Sequence, residues 1–127
     1  MGLARAFSRL AVAADGPAHR VAEAIRAHPE YVSGTTRDER TLLTAMPGSI
    51  GKAGAESCYA VALADGRAFA LKTDDGGGRA RPIVMAAALQ RSGVTSEEWV
   101  DTESVRRTGE HVLLGGGRPV GEIRACF

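Results

Sequence analysis

The stretch that decides the fold is Ser49-Ile50-Gly51-Lys52-Ala53-Gly54-Ala55-Glu56-Ser57-Cys58-Tyr59-Ala60-Val61-Ala62-Leu63-Ala64-Asp65-Gly66-Arg67-Ala68-Phe69-Ala70-Leu71-Lys72. From Ser49 the helical spacing of the preceding residues gives way to a period of two. Ile50, Gly51 and Lys52, then Ser57 to Leu63, read as extended strand, with Tyr59, Val61 and Leu63 on one face. Asp65-Gly66 supplies a two-residue hairpin turn. Arg67 to Lys72 is the returning strand and puts Phe69 and Leu71 together. A β-hairpin is the centre of the chain.

Helices flank it. Upstream, Leu3, Phe7, Leu10 and Ala14 recur at helical steps until Asp15-Gly16-Pro17 interrupts them. A second helix follows from Pro17, carries Val21, Ala24, Ile25 and His28 on one side, and stops at Pro29. A short third helix runs through Leu42, Leu43 and Met46 to Pro47-Gly48. Downstream, a loop at 73–78 leads to a helix over 79–92 with Pro82 in its first turn, burying Ile83, Ala86, Ala87 and Leu89. Thr95 to Glu98 resembles a helix start with acidic first-turn residues. The tail ends in a strand over 120–125. This order predicts an α+β fold, an antiparallel sheet with helices covering one face.

The chain has 127 residues, enough for one domain, and 44% of them are hydrophobic. Much of that share is alanine. Large core candidates are few: Leu10, Ile25, Leu42, Leu43, Met46, Tyr59, Phe69, Leu71, Ile83, Met85 and Leu89. So thin a core suggests that residues 1–127 are a partial domain awaiting a partner segment. A net charge of +1 with scattered arginines gives no phosphate-neutralising patch, so no nucleic-acid partner is expected. No apolar run approaches the roughly 20 residues that span a bilayer, and the amphipathic start lacks the layout of a secretory signal. With Cys58 and Cys126 as its two cysteines, the protein is expected in the cytoplasm with reduced thiols.

Gly51-Lys52-Ala53-Gly54 is the best candidate for chemistry. A lysine on an inner strand beside glycine places an ammonium next to backbone that a substrate can approach, the logic of the Lys-Thr-Gly triplet in serine β-lactamases and penicillin-binding proteins. It is no phosphate-binding loop, since Ala53 stands where Ser or Thr is required. Lys52 and Lys72 are the only lysines, against fourteen arginines.

The wider sequence resembles one family. Gly2-Leu3-Ala4-Arg5-Ala6-Phe7, Ala27-His28-Pro29-Glu30 with Ser33-Gly34-Thr35, and Pro47-Gly48 with Gly51-Lys52-Ala53-Gly54-Ala55-Glu56 and Tyr59-Ala60 carry the likeness. So do Ala70-Leu71-Lys72-Thr73-Asp74-Asp75-Gly76 with Arg79-Ala80, and Val120-Gly121-Glu122-Ile123-Arg124. In this order they resemble the bacterial L-asparaginase II family related to the inducible rhizobial enzyme. The resemblance implies hydrolysis of L-asparagine to L-aspartate and ammonia on a fold similar to glutaminases and serine β-lactamases. It implies a Ser-x-x-Lys helix that supplies nucleophile and base and passes through an acyl-enzyme. That helix precedes the matched motifs in the family. The chain is therefore expected to be the carboxy-terminal half, without such a pair, and inactive by itself.

Lys52 falls on the family's second catalytic lysine and is expected to shuttle protons and stabilise charge. Gly54 and Glu56 are the expected substrate-side residues, and Glu56 could also orient Lys52. The rhizobial type has a cysteine zinc ligand fourteen residues before the strand lysine, where Asp38 stands here. A lone carboxylate replaces thiolate poorly, so no cofactor or metal is expected. His19, His28 and His111 have no ligand spacing, Asp74 and Asp75 read as a helix-entry turn, and Lys72 as a solvated strand end. Besides L-asparagine, the partners considered are a second copy in a homodimer or a separate N-terminal half. The rival to an enzyme is an inactive fragment that binds an amino acid or completes that other half.

Overall fold

In the computed structural model, which describes residues 2–127, the alternating stretch becomes a three-stranded antiparallel sheet. Its strands are β1 (Ile50–Ala53), β2 (Cys58–Ala62) and β3 (Ala68–Lys72), in that spatial order. Ile50 to Leu63 is thus two strands and not one. A single 3-10 turn, Ala55–Ser57, folds β1 back so that Lys52 pairs with Ala60 and Ala53 with Tyr59. The Asp65-Gly66 turn then joins β2 to β3, with Tyr59 opposite Leu71 and Val61 opposite Phe69.

Among the described residues, six helices flank the sheet: α1 (Gly2–Ala11), α2 (Gly16–Ala27), α3 (Pro29–Ser33), α4 (Asp38–Ala45), α5 (Arg81–Arg91) and α6 (Thr102–Thr108). The architecture is α+β, as expected, but helices lie against both faces of the sheet. On one face Tyr59, Val61 and Ala53 pack with Leu42 of α4 and Met46 just after it, with Met85 and Leu89 of α5, and with Val105 of α6. On the other, Ile50 and Ala62 meet Ala11, Ala22, Phe7, Leu10 and Ile25 of α1 and α2. The alanine-rich positions of β2 explain this arrangement. Ala60 and Ala62 are fully buried and present no bulk, so the helices on that side can approach closely.

Three local readings are corrected. Pro29 ends α2 but also starts α3, occupying the first helical position, where its missing N–H costs nothing. Thr95 to Glu98 opens no helix. Val94–Ser96 is a 3-10 turn, and α6 begins at Thr102, where the Asp101 carboxylate accepts the Ser104 N–H. The terminal strand, β5 (Arg118–Glu122), pairs with β4 (Val112–Gly115) in a separate hairpin whose residues are all exposed.

Burial ranks the expected core. Leu42, Met46, Tyr59 and Leu89 are completely inaccessible, whereas Leu10, Ile25, Phe69 and Leu71 only flank the core. Leu89→Ala should therefore cost about 2–5 kcal/mol in urea unfolding. Leu114→Ala, in the exposed hairpin, should stay within about 0.5 kcal/mol of the parent.

Candidate functional site

Lys52 sits on β1, which is a border strand of the sheet and not the inner strand expected. Its side chain is 52% exposed, while Ile50, Gly51 and Ala53 around it are buried. The ammonium donates to the Ala53 carbonyl at 2.8 Å and to Glu39 Oε1 at 3.2 Å. The same Oε1 accepts the Ala53 backbone N–H at 2.9 Å. One carboxylate oxygen of α4 thus holds both the strand and the lysine that projects from it.

Glu39 is fully buried, which is costly for a carboxylate unless cations and donors surround it. Besides Lys52 it has two guanidinium neighbours. Arg37 Nε lies 3.1 Å from Oε2 but is not aligned to donate, and Arg81 Nη2 at 3.9 Å is too far, so among the described residues Oε2 has no hydrogen bond. Arg81 itself is buried at the start of α5. It grips both oxygens of Asp38 and lies over the Tyr59 ring, 5.5 Å from its centroid. Burial would lower the basicity of Arg81, but the hydrogen bond and charge of Asp38, with Glu39 behind, hold it above the usual arginine value. Burial pushes the Tyr59 phenol far up, and the Asp38 and Glu39 charges push it further. Tyr59 is therefore a neutral hydroxyl whose oxygen finds no partner.

Lys52, Arg37 and Arg81 against Asp38 and Glu39 leave one positive charge over, with the exposed part of that excess on Lys52 and Arg37. Such a rim carries a positive potential that attracts anions.

The sequence-predicted residues fall differently around this cluster. The carboxylate on Lys52 is that of Glu39; Glu56 forms no ion pair among the described residues. Glu56 and Ser57 instead adopt left-handed backbone, with φ of 53° and 57°, where non-glycine residues are strained. Gly76 lies against this turn, and a Cβ there would come within 3.3 Å of Glu56 Cβ. Gly51 does not leave room for a ligand. A Cβ on it would meet the Ala60 carbonyl at 3.1 Å and the Leu43 side chain at 3.3 Å, so its glycine serves internal packing. Gly54 is exposed and keeps its approachable backbone, with its N–H on the Cys58 carbonyl at 2.7 Å. Lys72 and Cys58 lie opposite each other on β3 and β2, and both cysteines are free.

One tetrad does have the Ser-x-x-Lys spacing, Ser49-Ile50-Gly51-Lys52, against the expectation of none. On a helix, residues three apart share a face; along a strand they point to opposite faces. Here the tetrad enters a strand. Ser49 is buried with an unpartnered hydroxyl while Lys52 is exposed, so the two cannot work as nucleophile and base.

Asp38 is equally spoken for. A zinc ion there would have to displace a guanidinium bonded to both carboxylate oxygens, and no group of three His, Cys, Asp or Glu side chains converges among the described residues. These residues do not fit the metal. Glu39 was missed in the sequence, yet a signal existed: residues 39, 42, 43 and 46 form one helical stripe, which puts this carboxylate on the apolar side of α4.

Among the described residues, no helix is long and apolar enough to cross a membrane. The family model described as L-asparaginase II matches residues 1–125. No curated protein matches the chain.

Removing Asp38 should leave Arg81 buried without its bidentate partner. Asp38→Asn is expected to lose about 3–5 kcal/mol in chemical unfolding. Tyr59→Phe, which deletes an unpartnered buried hydroxyl, should be neutral or stabilising. Metal analysis of untagged protein is expected to find far less than one zinc per chain; a full equivalent lost on Asp38→Ala would contradict the Arg81 pairing.

Proposed function

The chain belongs to the L-asparaginase II family, and from that premise we propose that it takes part in hydrolysis of L-asparagine to L-aspartate and ammonia. The observation that carries the reading is the family match across residues 1–125, joined by the half-exposed ammonium of Lys52 on β1 at the border of the sheet. Within the family, we read the motifs of this chain as resembling the rhizobial type, and its fold as similar to that of the glutaminases and serine β-lactamases.

In the proposed reaction a serine hydroxyl attacks the side-chain amide carbon of asparagine. The C–O bond forms as the carbonyl π electrons move onto oxygen, and collapse expels ammonia with a transferred proton. Water then cleaves the ester and releases aspartate. Ser49 is too deeply placed to be that serine. We therefore assign the nucleophile and its base to a Ser-x-x-Lys helix that is not among these residues, and regard 1–127 as the carboxy-terminal half of the catalytic unit. Lys52 stands for the second lysine. Its ammonium can relay the proton to the leaving nitrogen and offset the charge that grows on the attacked oxygen. The exposed Gly54 backbone and Glu56 are the proposed substrate side, Glu56 facing the α-ammonium of the amino acid. The free thiols of Cys58 and Cys126 accord with a cytoplasmic setting.

The test is ammonia release from L-asparagine. The 127-residue protein alone should give none, and co-expression with a segment carrying the Ser-x-x-Lys helix should give turnover. In that active preparation Lys52→Ala should lower kcat by roughly 10²–10³-fold with smaller change in KM. Lys52→Arg should not restore it, since a guanidinium cannot relay protons near neutrality. Lys72→Ala should change little. Turnover by the isolated chain that disappears in Lys52→Ala would refute the assignment of a separate nucleophile.

A further inference from the structure

We propose that Glu39 is the positioning residue for Lys52, setting where its ammonium stands during the reaction. The inference rests on the role given to Lys52 above and adds a residue that no motif of the chain singles out.

A lysine on a half-exposed strand position would ordinarily spread over many rotamers, and holding it in one costs side-chain entropy. Lys52 has two anchors. One is the Ala53 carbonyl, on its own strand; the other is Glu39 Oε1, on a different element. That second anchor cannot drift. Glu39 is fully buried, and α4 is fixed in the core through Leu42, Leu43 and Ala45. The same oxygen also binds the N–H of Ala53, so ammonium and strand are registered to a single atom.

Accepting the Ala53 N–H would not by itself need a charge, and Arg81 already has the Asp38 carboxylate. An amide oxygen could accept the Ala53 N–H equally well, and a buried carboxylate with an unbonded Oε2 is an expensive way to satisfy one backbone donor. The charge has a use in attracting Nζ. No other carboxylate competes for it: Asp38 is occupied by Arg81, and Glu56 forms no ion pair among the described residues.

Glu39→Gln separates the two roles, because glutamine keeps the acceptor for Ala53 and removes the attraction for Lys52. In the asparagine-hydrolysing preparation, this variant should lose up to about a hundredfold in kcat with KM little changed. A second readout needs no turnover. With two lysines in the chain, 15N-lysine labelling gives two side-chain Nζ signals, Lys52 and Lys72. In Glu39→Gln the Lys52 signal should move toward its denatured-chain position while that of Lys72 stays. A damaging Lys52→Ala beside a Glu39→Gln of parental kcat would overturn the positioning role, as would an unmoved Lys52 signal. A harmless Lys52→Ala would instead sink the family reading of Lys52, and this inference with it. Should Glu39→Gln fail to fold, the parent protein decides: a Lys52 Nζ signal displaced from the denatured-chain position supports the anchor, and one coincident with it overturns it.

Discussion

A buried carboxylate must be matched by positive charge, and around Glu39 that requirement organises one whole side of the molecule. Three separate segments contribute a cation to it: Arg37 from the approach to α4, Lys52 from β1 and Arg81 from α5. The helix, the strand and the second helix are therefore tied by electrostatics as well as by the apolar contacts of Leu42, Tyr59 and Met85. Asp38 relieves what would otherwise be an excess of buried positive charge, and Tyr59 offers its ring to the same guanidinium. The cluster also shields the outward N–H of Ala53, which an unpaired sheet border would otherwise leave open.

What the sequence reveals of this arrangement follows from which interactions are periodic. The hairpin of β2 and β3 is legible because Tyr59, Val61 and Leu63 alternate and Asp65-Gly66 marks the turn. The turn between β1 and β2 is not, because its left-handed positions hold Glu56 and Ser57 where glycine would have announced them. Helix α5 is visible through Pro82 and the spacing of Ile83, Ala86, Ala87 and Leu89. The terminal hairpin is half visible, since Val112 to Gly115 has no alternation to distinguish it from loop.

The site divides in the same way. Lys52 is conspicuous as one of two lysines in a glycine-flanked motif, but its carboxylate partner lies thirteen residues upstream on a helix, and Asp38 finds Arg81 across forty-three residues. Pairings at such distances have no local signature. Ser49 shows the converse hazard: its spacing from Lys52 matches a catalytic tetrad, yet spacing acquires chemical meaning only from the backbone that carries it. On a strand the same three-residue step separates the two groups. The small alanines that made the core look thin turn out to set how closely α1 and α2 approach the sheet, which residue size alone did not disclose.

The exposed pair β4 and β5 has a different thermodynamic character from the rest. The Ile123 N–H on the His111 carbonyl only extends the ribbon itself, and the tail beyond it is tied to the body where Arg91 of α5 donates to the Phe127 carbonyl. A two-stranded ribbon with both faces in water gains little from burial, so its opening is uncoupled from that of the central sheet. Amide hydrogens in this ribbon would then exchange with solvent through local fraying, on a timescale far shorter than those of β2, whose release requires the whole domain to come apart.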